Sequence, residues 1–474
     1  MAIENIEQKM LAYALKNAVE HEGKCQSGAV LNPLFHEGLE RDKVKEVMPQ
    51  INEIVKKVNS MSLEEQKTEL EEAEKLISHR KERVGMPELP NVPTTGVIMR
   101  YAPAASGYLH LGHASSNCAN AMYVKRYGGK FYIRIEDTNP EEVVPDAYEK
   151  IKEDCDWLFG NVYEYIIQSD RVEVYYQYAQ KLIDSGNAFI CTCKKEEARV
   201  DSEEVHVRKP CNCRNNSIKE NQEKWNKMLD ANGLQEGEAV LRFKSDINNP
   251  NPAMIDFPLA RINTHKHPRV GNKYRVWPLM NLSVTVDDIE YKMTHVIRGK
   301  DHKDNSKRQE MIYEALGKKD LFPWTFFMGR YKFEDIELSK RKILALINDG
   351  KFTGREDIRL PTIAALRKRG FQPGAFEKMT EIRGLTEADK VFSKKDYFKL
   401  LGDCNREIIK PMSIEIEFTE KKSKENPNEY ILLRDDASES KIYTKEKLEN
   451  EKIYFLKDIG FVKLNDKTLW YCHD

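Results

Sequence analysis

His110 and His113 stand three residues apart in the run 98–117, IMRYAPAASGYLHLGHASSN. Imidazoles at that spacing can donate hydrogen bonds to phosphate oxygens as charge builds on them in a transition state. The elements on either side must bring them there. GVIMRYAP is a short apolar, β-branched run punctuated by Pro103, whereas HASSNCANAMYVKRYG repeats Ala114, Cys118, Ala121, Met122 and Tyr123 along one side of a helix. The turn between them then lies at the C-terminal end of a strand, where open α/β sheets bind ligands. It also opens a helix, whose unpaired N–H groups attract anions. Gly107 and Gly112 carry no Cβ and let a nucleotide approach the backbone. On its own the pair reads equally well as two histidines capping an ordinary helix.

A second anion-binding element lies far downstream in FMGRYKFEDIELSKRKILALINDG. There Ser339, Lys340, Arg341 and Lys342 form a basic loop ahead of a helix, and lysines on such a loop can neutralise a triphosphate. The cysteines point to a different chemistry. Cys25, Cys118, Cys155, Cys404 and Cys472 occur singly, as small buried hydrophobes or free thiols do in a reducing compartment. Cys191 and Cys193 in ICTCKK and Cys211 and Cys213 in KPCNCR make two close pairs across a polar loop. Four thiolates so arranged suit tetrahedral zinc; four reduced cysteines without metal are the alternative.

At 474 residues the chain is long enough for several domains, and 40% hydrophobic content supplies ordinary cores. A formal net charge of −1 excludes a uniformly basic nucleic-acid coat, so RNA contacts must use local patches and no DNA-binding role is expected. No apolar run approaches the roughly 18 residues of a membrane helix, and MAIENIEQKMLAYALKN is too charged for a signal peptide. The reading is a cytoplasmic protein that does not enter membranes.

The histidine turn and the lysine loop, in that order, resemble the HIGH and KMSKS signatures of class I aminoacyl-tRNA synthetases. YALKNAVEHEGK, RIEDTNPEEV, YRVWPLMNLSVTVDD, THVIRGKDHKDNSKRQ and TGREDIRLPTIAALRKRGFQPGAF are similar to the archaeal and eukaryotic-type glutamyl-tRNA synthetases, in order and across most of the chain. The resemblance implies an α/β fold built on a Rossmann-like parallel sheet. To that sheet it adds a zinc-bearing insertion, an N-terminal helical extension and a C-terminal β-barrel-like domain. It divides the chain into the extension at 1–92, ending in MPELPNVP, and the first half of the nucleotide-binding domain at 93–187. The insertion that receives the acceptor end of tRNA follows at 188–265, and the second half-domain at 266–330. The lysine loop and a segment contacting the tRNA stem occupy 331–390, and a shortened anticodon-arm domain 391–474. The alternating tail (IEIEFTE, EYILLRDD, KIYFLKDIGFVKL) reads as strands. The charged EFTEKKSKENPNEY reads as an exposed hairpin connection.

The implied reaction has two steps: a glutamate carboxylate attacks the α-phosphate of ATP, then the 3′-terminal ribose hydroxyl of tRNA takes the acyl group. By resemblance, His110 and His113 stabilise the phosphate charge, and Lys342 matches the final lysine of the second motif. Gly112, Ser339 and Lys340 join Lys342 in holding ATP, whose Mg2+ needs no dedicated protein cage. Arg100 matches the arginine that pairs with the substrate's side-chain carboxylate. Glu136 matches the acid that meets the α-amino group, and Arg298 a second arginine of the pocket. Ser106 lies beside them. Zinc on the four cysteines would be structural. Arg359, Arg367, Lys368 and Arg369 in RLPTIAALRKRG offer phosphate contacts that position RNA without reading its sequence.

Several positions depart from the family. The usual P-N-P-S-G becomes Pro103-Ala104-Ala105-Ser106-Gly107, Met280 stands where a tyrosine is usual, Ser115 where an arginine is usual, and Asn139 replaces an aspartate. Lost hydrogen-bonding groups alter discrimination between substrates. Two other readings therefore stay open: a diverged synthetase with another amino acid or acceptor, and a catalytically silent module that binds RNA or a partner.

Overall fold

The computed structural model describes residues 5–77, 85–160, 163–193 and 211–474. It divides into two compact units, Met1–Arg83 and Val84–Asp474. The first packs four helices, α1 (Ile6–Glu20), α2 (Ser27–His36), α3 (Val44–Asn59) and α4 (Leu63–Ala73). Its core is Met10, Ala14, Leu15 and Ala18 of α1 against Val30 and Leu34 of α2 and Ile51, Val55 and Val58 of α3. The i, i+4, i+7 spacing of the last three is what a single buried helix stripe requires. Ser62 and Glu65 cap α4 reciprocally. Gln66, fully buried, donates to the carbonyls of Gly23 and Val58 and pins the corner.

In the second unit, β1 (Val97–Tyr101), β2 (Gly129–Ile135) and β3 (Tyr163–Ile167) pair in parallel, linked by α5 (Leu111–Tyr127) and α6 (Ala147–Phe159). Covered on both faces, β2 buries every residue from Phe131 to Ile135, including Arg134. Gly129 is required at the start of that strand: φ is +111°, and a Cβ would fall 2.0 Å from the Val97 carbonyl oxygen. The end of the expected extension at 1–92, MPELPNVP, behaves differently. The break falls at Arg83, and the proline-rich segment after it is a strap on α5. Met86 and Leu89 are buried in the sheet's core, and Tyr123 Oη donates to the Pro87 carbonyl at 2.8 Å.

After α7 (Val172–Asp184) come β4 (Ala188–Cys191), α8 (Ile218–Leu229), β5 (Val240–Phe243), β6 (Pro258–Ile262) and β7 (Val276–Pro278). These four strands form an antiparallel sheet in chain order. The YRVWP run, which the expected bounds place in the second half of the nucleotide-binding domain, is instead the last strand of this sheet, Val276 to Pro278 pairing with β6. All three β7 residues are buried, so their apolar pattern fits either sheet and pairing alone decides. The chain returns later, after α9 (Met280–Glu290), with β8 (His295–Gly299), α10 (Lys303–Ala315) and β9 (Trp324–Met328). β8 and β9 are parallel, and Thr294 N–H donates to the Ile98 carbonyl at 3.0 Å, placing them beside β1.

Beyond lie β10 (Tyr331–Phe333), α11 (Lys340–Asn348), α12 (Ile363–Arg369), α13 (Pro373–Arg383), β11 (Lys390–Phe392) and α14 (Lys394–Ile409). The expected start of the terminal domain at 391 is too early, because α14 buries Tyr397, Leu401, Cys404 and Ile409 in the core of the parallel sheet. Seven strands follow: β12 (Ile414–Ile416), β13 (Phe418–Thr419), β14 (Asn428–Leu433), β15 (Glu439–Thr444), β16 (Ile453–Leu456), β17 (Gly460–Asn465) and β18 (Thr468–His473). Their order is β12-β16-β17-β18-β14-β15-β13. The two edge strands are consecutive in the chain with only Glu417 between them, so the sheet curls until its edges nearly meet, as a barrel. The charged stretch at 420–427 joins β13 to β14, which flank β15, so it is not a hairpin connection.

Arg369 contradicts its expected RNA contact. It is 2% exposed, donating to the carbonyl of Tyr471 at 3.1 Å and of Cys472 at 2.8 Å, and so fastens α12 to β18. Replacing it with methionine leaves both carbonyls without that donor. A loss of about 2–4 kcal/mol is expected in urea unfolding, with RNA affinity at fixed salt changed less than about twofold because the side chain is almost wholly buried.

Candidate active site

His110 is the N-cap of α5, with extended backbone (φ −135°, ψ 171°). Its Nδ1 accepts the Gly112 N–H at 3.2 Å, while His113 Nδ1 accepts the His110 N–H at 3.1 Å. The rings lie 3.8 Å apart between centroids. A neutral ring whose Nδ1 accepts carries its proton on Nε2. Burial and the Lys340 charge push His110 down to about 3, and burial with both neighbours pushes His113 well below the usual histidine range. Both are therefore neutral donors at physiological pH. The turn is pinned by the 361–363 segment: Leu111 N–H donates to the Pro361 carbonyl and Ile363 N–H to the Leu109 carbonyl.

Lys340 opens α11 above this turn, with Ser339 as N-cap. Its Nζ donates to the Ala104 carbonyl at 3.0 Å, and a Cβ on Gly107 (φ +144°) would meet the Lys340 Cβ at 3.2 Å, so only glycine lets the two segments close. Burial brings the Lys340 ammonium down to about 8 against the pull of Glu136. Lys342, expected to reach the triphosphate, is 70% exposed and pairs with Glu337 at 2.9 Å. Arg341 pairs with Glu142 at 3.1 Å on the surface. Lys340 is thus the lysine that the loop presents to the histidine turn.

Next to the turn, a cavity of about 170 Å3 is lined by Arg100, Asn117, Glu136, Met280, Arg298 and His302, among others. Glu136 and Met280 also line an adjoining cavity of about 270 Å3 that includes Ala104, Ser106, Asn139 and Arg261. Arg100 does not point freely into the first. Its Nε and Nη2 donate to the two oxygens of Asp288, each at 3.1 Å, and Arg134 Nη1 reaches Asp288 at 2.5 Å. Burial alone would raise Asp288; the two guanidiniums outweigh it and hold the carboxyl at about 2. Asp287 beside it accepts from Arg171, Gln168 and Tyr175. Arg134 also reaches Glu136 at 3.4 Å.

Arg298 differs. It donates to Ser306 Oγ at 3.2 Å and Gln309 Oε1 at 2.7 Å, and its buried Nε has no partner. Among the described residues no carboxylate lies within ion-pair distance of it. Burial and the neighbouring Arg100 bring its guanidinium down to about 9. The cavity wall therefore holds a cation whose charge is unmatched, facing the same space as Glu136. Arg134, Asp287 and Asp288 were not foreseen, although a signal existed. An arginine inside the apolar run FYIRI, buried on both faces, needs an equally buried acid, and the apolar VTVDD supplies two.

The remaining basic candidates are at the surface or paired. Arg359 bonds Asp357 at 2.7 Å, and Lys368 lies 3.3 Å from Glu356 and over the Trp470 ring. Arg367 is half-buried within electrostatic reach of Glu153 and Asp154. The Ser115 side chain lies outside the described residues.

The four cysteines converge. Cys211 Sγ lies 3.5 Å from Cys191 Sγ and 3.1 Å from Cys193 Sγ, Cys193 and Cys213 are 3.9 Å apart, and all four sulfurs fall within 4.8 Å of one another. Zn–S bonds of roughly 2.3 Å in a tetrahedron place sulfurs about 3.8 Å apart, so the set fits zinc. The polar loop between the pairs, 194–210, lies outside the described residues. The second pair is anchored by Arg214, which bonds Asp256 and the Ser245 carbonyl, and by α8, whose Asn221 accepts the Ile190 N–H.

Residues 96–410 match the family model described as tRNA synthetases class I (E and Q), catalytic domain. The chain is 40% identical to a glutamate–tRNA ligase of Methanocaldococcus jannaschii over 97% of its own length and 86% of the relative's. It is 41% identical to a glutamate–tRNA ligase of Thermococcus kodakarensis over 87% of its length and 72% of the relative's.

Metal analysis of the purified protein is expected to find about one zinc per chain, and Cys211→Ser to lose most of it. In the same variant, limited proteolysis should cut the 188–229 region first, because the metal would fasten both cysteine pairs.

Proposed function

This chain belongs to the class I tRNA synthetases (E and Q), and from that premise we propose a glutamate–tRNA ligase: it activates glutamate with ATP and transfers the acyl group to the 3′ end of tRNA. One observation carries the choice of glutamate over a neutral analogue. The cavity beside the histidine turn has a half-buried arginine, Arg298, without a carboxylate partner among the described residues, and Glu136 in the same wall as an acceptor for an ammonium. A substrate bearing one extra carboxylate balances that charge; its amide would leave it unmatched.

In this reading ATP lies along the β1–α5 turn. His110 and His113 donate from Nε2 to the phosphate oxygens, and Lys340, with Ser339 and Gly112 at its sides, neutralises the departing pyrophosphate. The substrate carboxylate oxygen attacks the α-phosphorus, the bond to the bridging oxygen breaks, and pyrophosphate leaves. The 3′-terminal ribose hydroxyl then attacks the adenylate carbonyl and AMP departs. No enzyme nucleophile is required. Mg2+ arrives with the triphosphate, and zinc on Cys191, Cys193, Cys211 and Cys213 would stiffen the insertion that meets the acceptor end. Arg359, Arg367 and Lys368 remain for phosphate contacts, and the terminal barrel for the anticodon arm. Among the described residues no helix is long and apolar enough to cross a membrane; the substrates are those of the cytoplasm.

A second reading, a diverged ligase with another amino acid, draws on Met280 in the wall of both cavities and on Arg100 engaged by Asp288. Amino-acid-dependent ATP–pyrophosphate exchange over the twenty amino acids, with and without tRNA, separates them. Exchange with glutamate alone is expected, and Arg298→Gln should lower its kcat/KM by about 100-fold or more. Exchange with a different amino acid would replace the assignment, and none at all would favour a silent module.

The loop makes its own forecast. Lys340→Ala should slow exchange about 100-fold or more and Lys342→Ala less than about threefold. Lys340 is charged below about pH 8 and loses its proton above it, well before an ordinary lysine. The KM for ATP should therefore climb between about pH 7.5 and 9 in the wild type, and the Lys340→Ala profile should be flat over that range.

A further inference from the structure

Three hydrogen bonds cross from the segment after β2 to the strand and turn around the end of β6. Arg261 Nη2 donates to Asn139 Oδ1 at 3.0 Å, Asn263 Nδ2 donates to Glu141 Oε1 at 2.9 Å, and His267 Nε2 lies 3.0 Å from the Asp137 carbonyl oxygen. The last is the most enclosed, with His267 0% and Asp137 1% exposed. His267 Nδ1 accepts the N–H groups of Arg269 at 3.1 Å and Val270 at 3.3 Å, so the ring proton sits on Nε2 and is donated to Asp137. Burial keeps the ring neutral. Trp277 of β7 stacks on it, centroids 5.0 Å apart and planes 22° apart. The Asp137 carboxylate is tied in turn by Tyr148 Oη at 2.7 Å and the Ser169 N–H at 2.8 Å.

Asp137 follows Glu136, and Glu136 stands in the wall of both cavities. The Glu136 N–H donates to the Pro103 carbonyl and its own carbonyl accepts the Ala105 N–H, two bonds that hold the 103–105 segment without involving His267. We propose that His267 is a positioning residue: through its bond to Asp137 it makes the insertion's sheet and the Glu136 end of β2 move as one piece. The insertion's position then sets how the substrate ammonium is held. The catalytic part of this proposal rests on the ligase reading above; the mechanical link does not.

Amide hydrogen exchange on the full-length chain tests the link directly. His267→Phe keeps a flat ring against Trp277 and removes the donor. Exchange over 135–142 should rise about tenfold or more, with 97–101 unchanged, and His267→Gln, which restores an N–H, should bring it back to within about threefold. In pyrophosphate exchange the same His267→Phe protein should raise the KM for glutamate about tenfold while the KM for ATP moves less than about twofold. Unchanged exchange over 135–142 overturns the proposal, as do two KM values that rise together. If the wild type shows no glutamate-dependent exchange, the ligase reading falls, and hydrogen exchange alone then decides whether the link holds. Should His267→Phe not fold, Asn263→Ala cuts another crossing to the same segment and gives the same readout.

Discussion

A single buried carboxylate organises the catalytic half of this molecule. Asp288, on α9, is gripped by Arg100 of β1 and Arg134 of β2, so one side chain ties together two neighbouring strands and the helix that covers them. Removing one member would strand a buried charge at a cost of several kcal/mol, which makes the three groups an indivisible unit. Their rigidity is also what the pocket uses. Arg100 and Arg134 are spent on Asp288, Glu136 leans on Arg134, and Arg298 is left without an ion-pair partner among the described residues.

The two interpretations that the histidine pair allows in the sequence are not rivals. His110 and His113 do cap α5, each accepting a backbone N–H through Nδ1. That duty selects the tautomer with Nε2 protonated, and burial keeps both rings uncharged. A structural bond on one nitrogen thus prepares the other as a hydrogen-bond donor. On the proposed function, two neutral donors leave the charge of a triphosphate to be met by Lys340, whose ammonium stands above the same turn.

The β1–turn–α5 unit, the cysteine set and the acid Glu136 just after β2 were legible because each rests on local spacing. What could not be read was which of several like residues faces inward. Lys340 and Lys342 are two positions apart on a helix, hence about 200° around its axis, and only the N-cap at Ser339 decides which one meets the site. Arg367, Lys368 and Arg369 span about 200° in the same way, so one of the three had to turn into the protein, and docking against β18 chose Arg369. The insertion's last strand was misplaced for a related reason: three buried residues carry no mark of the sheet they join. Buried charge, by contrast, was visible in principle, since an arginine within a strand covered on both faces demands a partner.

The terminal sheet has a consequence for the order in which this protein can be built. Its middle strand, β18, is the last of the seven in the chain, and it is flanked by β17 and by β14, whose pairing must wait for it. Before β18 exists, β14 and β17 are open edges. The same strand supplies the carbonyls that take Arg369 and places Cys472 in the core of the parallel sheet. Closure of the barrel and completion of the catalytic core are therefore one late, non-local event, which makes for slow folding and a long exposure of strand edges. During synthesis the site would become competent only after β18 has emerged, although its motifs emerge long before.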